Sequence, residues 1–121
     1  MQNPGSVRRV KTYSAASGFV YQYTFRELKE VRRGFSRGNE YTYLISVDRK
    51  TMFPVKIFVR RDAVAKWSKQ TTRTLSGTEE YAVAKMRLFQ AFDEQLQPEG
   101  QWPELEVDES NLEVLLALLE I

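Results

Sequence analysis

A chain of 121 residues with 42% hydrophobic content, seven Phe, six Tyr and two Trp can bury a core of its own without disulfide or metal staples, and is too apolar for a disordered chain. It contains no cysteine and no histidine, which removes disulfides, thiol nucleophiles, the commonest general base and the commonest transition-metal ligand together. The formal net charge of +2 conceals a division, because residues 1–75 carry sixteen Lys and Arg against five Asp and Glu, while residues 76–121 carry two against eleven.

Either the acidic half folds back on the basic half, or the basic half stands apart as a surface for an anionic partner. No window approaches the roughly 18 apolar residues that a membrane span needs, and the arginines near the start have no apolar run behind them, so no secretory signal is expected. The expected organisation is a flexible tail over residues 1–6, punctuated by Asn3-Pro4-Gly5, and one cytoplasmic domain over residues 7–121.

From Phe19 the aromatics alternate with other residues (Phe19, Tyr21, Tyr23, Phe25), which is the period of a strand. Residues 26–33 admit two readings. Thr24 and Glu27 have capping-box spacing, Phe25, Leu28 and Val31 recur every third residue, and Gly34 suits a helix end. Alternatively the strand continues and pairs with Tyr41–Val47 across the loop 34–39, its charges guarding a sheet edge.

Tyr41 to Trp67 carries the clearest signal, a β-hairpin feeding a helix. Tyr41, Tyr43, Ile45 and Val47 share one face with Val55, Ile57 and Val59, and these are the expected core. The other face presents Thr42, Leu44, Ser46, Pro54, Lys56, Phe58 and Arg60. Asp48-Arg49-Lys50-Thr51 predicts a four-residue connection built on a type I turn. Pro54, which has no N–H, predicts an edge or a bulge.

Asp62 is the expected N-cap of a short helix whose buried side is Val64 and Trp67 together with Ala63. Ser76-Gly77-Thr78-Glu79 is a capping box opening a long helix to about Leu96, with Ala82, Met86, Phe89 and Leu96 as its inward stripe, flanked by Val83 and Phe92. Residues 97–103 form a loop and Leu105–Val107 a short extended piece. Ser110 to Glu113 is a second capping box, opening a closing helix in which Leu112, Leu115, Leu116 and Leu119 make one stripe while Val114, Leu118 and Ile121 lie off it. The fold class is α+β, an antiparallel sheet of three or four strands packed against one long helix, with a short helix and an apolar C-terminal helix.

Function is less legible. The adjacent carboxylates Glu79/Glu80, Asp93/Glu94 and Asp108/Glu109 point apart and are no acid–base pair, the serines sit in no nucleophile elbow, and 34–38 is neither a phosphate loop nor a dinucleotide fingerprint. No enzyme activity, cofactor or metal is expected. The favoured partner is single-stranded nucleic acid, held by Arg32, Arg33, Arg37, Arg49, Lys50, Lys56, Arg60 and Arg61 on phosphates, with Phe58 and Phe35 as stacking platforms. The alternative is an interaction domain that forms a homodimer or docks a partner through Val114, Leu118 and Ile121.

Overall fold

The computed structural model describes residues 9–121; the expected tail, residues 1–6, lies outside the described residues. Along the chain run β1 (Lys11–Ser14), β2 (Val20–Arg33), β3 (Ser36–Ser46), β4 (Phe53–Arg60), α1 (Arg61–Thr71), α2 (Gly77–Glu94), β5 (Leu105–Val107) and α3 (Leu112–Leu118). The strands form one curled, half-barrel sheet in the order β1-β2-β3-β4-β5. The first four are antiparallel to their neighbours, and β5 lies parallel to β4. The α+β class is as expected, but the sheet has five strands and is mixed rather than purely antiparallel. β1, Lys-Thr-Tyr-Ser, is too short and polar to announce itself. The β5 pairing depends on a crossover through α1 and α2, which brings the chain back in the parallel sense.

Residues 26–33 are strand. They pair with β3 from Glu27↔Thr42 to Arg33↔Ser36, and the register shifts between Phe25 and Glu27, where Arg26 is the extra residue of a β-bulge. The bulge explains part of the helix-like spacing: one inserted residue turns the strand over, so Phe25 and Leu28, three apart, share a face, while Val31, opposite Gly38, lies on the other. A long ladder to β3 then overrides the local capping-box preference.

The core face of the sheet presents Tyr21, Tyr23, Tyr41, Tyr43, Ile45, Val55, Ile57, Val59, Leu105 and Val107, all buried in one hydrophobic cluster. Val47, expected among them, lies beyond the end of β3 and is half-buried. α2 covers this face with Val83, Ala84, Leu88, Ala91 and Phe92. The expected stripe is therefore rotated: Ala82, Met86 and Phe89 are half-buried, and Leu96 lies past the helix end and is exposed. Ala84 and Ala91 let the helix approach a sheet made thick by tyrosines. Phe92 stacks on Tyr21 at 4.1 Å between ring centroids, Phe89 stacks on Tyr13 at 4.4 Å, and Trp102 meets Tyr21 and Phe92 edge-on, each at 5.9 Å. Such pairs add about 0.5–1.5 kcal/mol each beyond their buried area.

Ser76 forms its capping box. Glu79 N–H donates to Ser76 Oγ at 3.1 Å, and Ser76 N–H donates to Glu79 Oε1 at 2.9 Å. The second box does not form: α3 begins after Asn111, whose side chain accepts from Asp108 N–H at 2.9 Å and donates to the Glu106 carbonyl at 2.9 Å, tying α3 to β5 instead. Asp62 is likewise inside the first turn of α1 rather than its N-cap, with its carboxylate on Arg60. The β3–β4 connection spans six residues, 47–52, rather than four, and Arg49 at φ 65° rules out the expected type I turn; it is held by Asp48, whose Oδ1 accepts from the Lys50 and Thr51 N–H groups, each at 2.8 Å. Those donors, Thr51 above all, hold its carboxyl down at about 2.

One polar lock joins the start of α2 to β3. The buried Tyr41 hydroxyl and the Asn39 side-chain amide both donate to Glu80 Oε1, each at 2.7 Å. Burial, and then the Glu80 carboxylate, push the Tyr41 hydroxyl well above the usual phenol range. Glu80→Ala leaves that hydroxyl without an acceptor and is expected to lower stability by about 2 kcal/mol in urea unfolding, whereas Glu80→Gln keeps an acceptor and costs less. Equal losses for the two variants would contradict this account. No helix among the described residues is long and apolar enough to cross a membrane.

Candidate nucleic-acid interface

Strand alternation assembles a charged cluster on the outer face of the sheet, opposite α2. Glu40 on β3 is buried; it accepts from Arg33 on β2 at 2.9 Å and lies 3.7 Å from the Lys56 ammonium on β4. Arg33 also reaches Glu104 at 3.0 Å, and its guanidinium lies over the Phe58 ring, 4.7 Å from the centroid. Phe58 is 1% exposed, with its ring in the space a Gly38 side chain would fill. In this fold its ring has no free face for a base, and Arg33 is its lid.

Two more cations of the expected band, Arg60 and Arg61, are also occupied, as is Lys66 outside it. Arg60 pairs with Asp62 at 2.8 Å and with Glu106 at 3.5 Å, Arg61 pairs with Glu30, and Lys66 pairs with Glu109. Glu104, Glu106 and Glu109 all come from β5 and its flanks. The acidic half therefore folds against the basic half along the β4–β5 edge and at α1, which neutralises Arg33, Arg60 and Lys66. These pairs are largely surface contacts, worth about 0–1 kcal/mol each, so their main effect is on charge distribution rather than stability.

Arg49 and Lys50 are exposed in the β3–β4 turn, with Arg49 in the left-handed region at φ 65°. They lie at the end of β3 opposite to Arg37, about 35 Å away along an extended strand. The expected contact residues thus do not form one band.

What remains is the tip of the β2–β3 hairpin. Gly34, at φ 61°, makes the turn, and Arg32 on β2 is registered directly opposite Arg37 on β3. Both arginines are exposed and Phe35 between them is fully exposed. Neither arginine has an ion pair among the described residues, and residues 1–8 contain no Asp or Glu. A second cationic pair, invisible in the sequence because its members lie far apart, is formed by Lys11 and Lys85. Register puts Lys11 opposite Tyr23, and the Lys85 ammonium lies 5.8 Å from the Tyr23 ring and 5.9 Å from the Phe89 ring. Burial, and then Lys11, push the Lys85 ammonium below the usual lysine range.

On α3, Val114 and Leu118 are each 56% exposed, one helical turn apart, while Leu112, Leu115 and Leu116 are buried. Ile121 separates from them: its side chain packs against the core. No protein-family model, curated protein or solved structure matches the chain.

Proposed function

We propose that the chain is a non-catalytic module that holds single-stranded nucleic acid at the tip of the β2–β3 hairpin, with Arg32 and Arg37 on phosphates and Phe35 stacked on a base. The observation that supports this is the Arg32–Arg37 pair around an exposed aromatic ring. Like charges directly opposite on neighbouring strands repel, and a phenyl ring at a hairpin tip contributes nothing to the core, so both features oppose stability and favour an anionic, planar partner. Arg33, Lys56, Arg60 and Arg61 are given to intramolecular pairs in this reading.

Fluorescence anisotropy with labelled single-stranded oligonucleotides tests it. Affinity falls steeply as salt rises, and Arg32→Ala with Arg37→Ala lowers the slope of log K against log salt by about 1.4, the share of two phosphate contacts on a single strand. Absence of binding at low salt, or an unchanged slope, contradicts it. A second reading, an interaction domain, is favoured by the exposed Val114 and Leu118. If they form a homodimer seam, Leu118→Lys converts a dimer to a folded monomer in sedimentation equilibrium.

A further inference from the structure

β1 covers only Val20–Tyr23 of β2, so from Thr24 onward no strand among the described residues lies on that side of β2. An open edge of this length is a template for another strand, and natural edges are commonly guarded by charged side chains and bulges. This edge carries a bulge and four charges, but the charges alternate in sign, so one register turns them from a guard into a match. Arg26, Glu27, Leu28, Lys29 and Glu30 are all exposed, with Leu28, on the core side of the sheet, at 49%, and they read plus, minus, apolar, plus, minus.

We propose that this edge pairs antiparallel with the same edge of a second copy of the chain, about a two-fold axis at Leu28, joining two five-stranded sheets into one. In an isologous pairing of this kind residue i meets residue j when their numbers sum to a constant, and opposed residues must share a face, so the axis falls on a residue. With the axis on Leu28, Leu28 meets its own copy, Glu27 meets Lys29 twice, and Arg26 meets Glu30 twice. Opposed side chains then stand about 4.5–5.5 Å apart at Cβ. Moving the axis to Lys29 opposes two lysines, and moving it to Glu27 or Glu30 opposes two glutamates. An axis on Val31 sets Lys29 against Arg33. Of these registers, the one on Leu28 alone opposes no like charges. Arg26 is the bulged residue and Glu30 already meets Arg61, so Glu27, Leu28 and Lys29 carry the register. The inference is independent of the hairpin-tip site, which uses none of these three side chains.

Sedimentation of the full chain over a concentration series at low salt tests it. The wild type shows a monomer–dimer equilibrium. Glu27→Lys and Lys29→Glu each oppose like charges and weaken the dimer at least tenfold, and the double variant, which exchanges the two signs, restores it. An equimolar mixture of the two single variants forms a heterodimer that neither makes alone. These side chains are exposed, and thermal melts confirm that each variant is folded. A monomeric wild type, single reversals without effect, a double variant that stays monomeric, or loss of the dimer only with Leu118→Lys would each overturn the proposal.

Discussion

Gly38→Ala is expected to destabilise the protein by about 3 kcal/mol, at the upper end of what overpacking costs, and to lower its melting temperature by about 12 °C. Gly38 lies in β3 opposite Arg60 of β4, on the outer face of the sheet. A Cβ there would stand 2.1 Å from the Val59 carbonyl oxygen and 2.9 Å from Phe58 Cε1. The first of these is backbone, so relief requires the β3–β4 ladder to open. The second is the ring that occupies the space left by the missing side chain, an aromatic laid over a strand glycine, with Arg33 closing it from above. The substitution therefore also displaces the Arg33 lid and loosens its pairs to Glu40 and Glu104. Circular-dichroism melts measure the effect; a melting temperature within a degree or two of wild type would mean that Phe58 and Gly38 are not in contact.

The second large effect concerns binding and leaves the fold alone. Phe35→Ala is expected to weaken single-strand affinity by about one to two orders of magnitude, the equivalent of about 1–3 kcal/mol for one stacked base. Its melting temperature should stay at the wild-type value, since the side chain touches no core residue. Phe35→Trp, which keeps a flat ring, should bind at least as well as wild type. Combining Phe35→Ala with Arg32→Ala and Arg37→Ala should abolish measurable binding at physiological salt, because it removes the ring and both phosphate contacts. If Phe35→Ala binds as tightly as wild type while the two arginine variants do not, the tip acts through charge alone and the stacking role is wrong.

The inward residues of the hairpin are legible because large apolar and aromatic side chains recur at every second position, Tyr41, Tyr43 and Ile45 on one strand and Val55, Ile57 and Val59 on the other, and the Ser76 capping box is legible because its two hydrogen bonds are local. What escaped the sequence is long-range. The bulge at Arg26 gave β2 the spacing of a helix, and only its pairing with β3 reveals it. The orientation of α2 was misplaced because Ala84 and Ala91, unremarkable as hydrophobes, are selected by the bulk of the tyrosines they face. Phe58 looked like a platform because nothing in the sequence shows Gly38 beneath it or Arg33 above it. The cationic band dissolved for the same reason: Glu104, Glu106 and Glu109 reach β2, β4 and α1 only through a parallel strand that no local pattern predicts. The tip fared better, since Arg32, Phe35 and Arg37 are close in sequence, although their register is not visible there.

The claim at the centre of this account is that positive charge available to a polyanion resides at the hairpin tip and not on the sheet face. It is tested most directly by titrating a single-stranded oligonucleotide at low and moderate salt into wild type, Arg32→Ala with Arg37→Ala, and Lys56→Ala with Arg60→Ala. The account predicts that the first pair loses most of the affinity and flattens the salt dependence, while the second changes both only slightly. Loss of binding in the second pair with the first unaffected would contradict it.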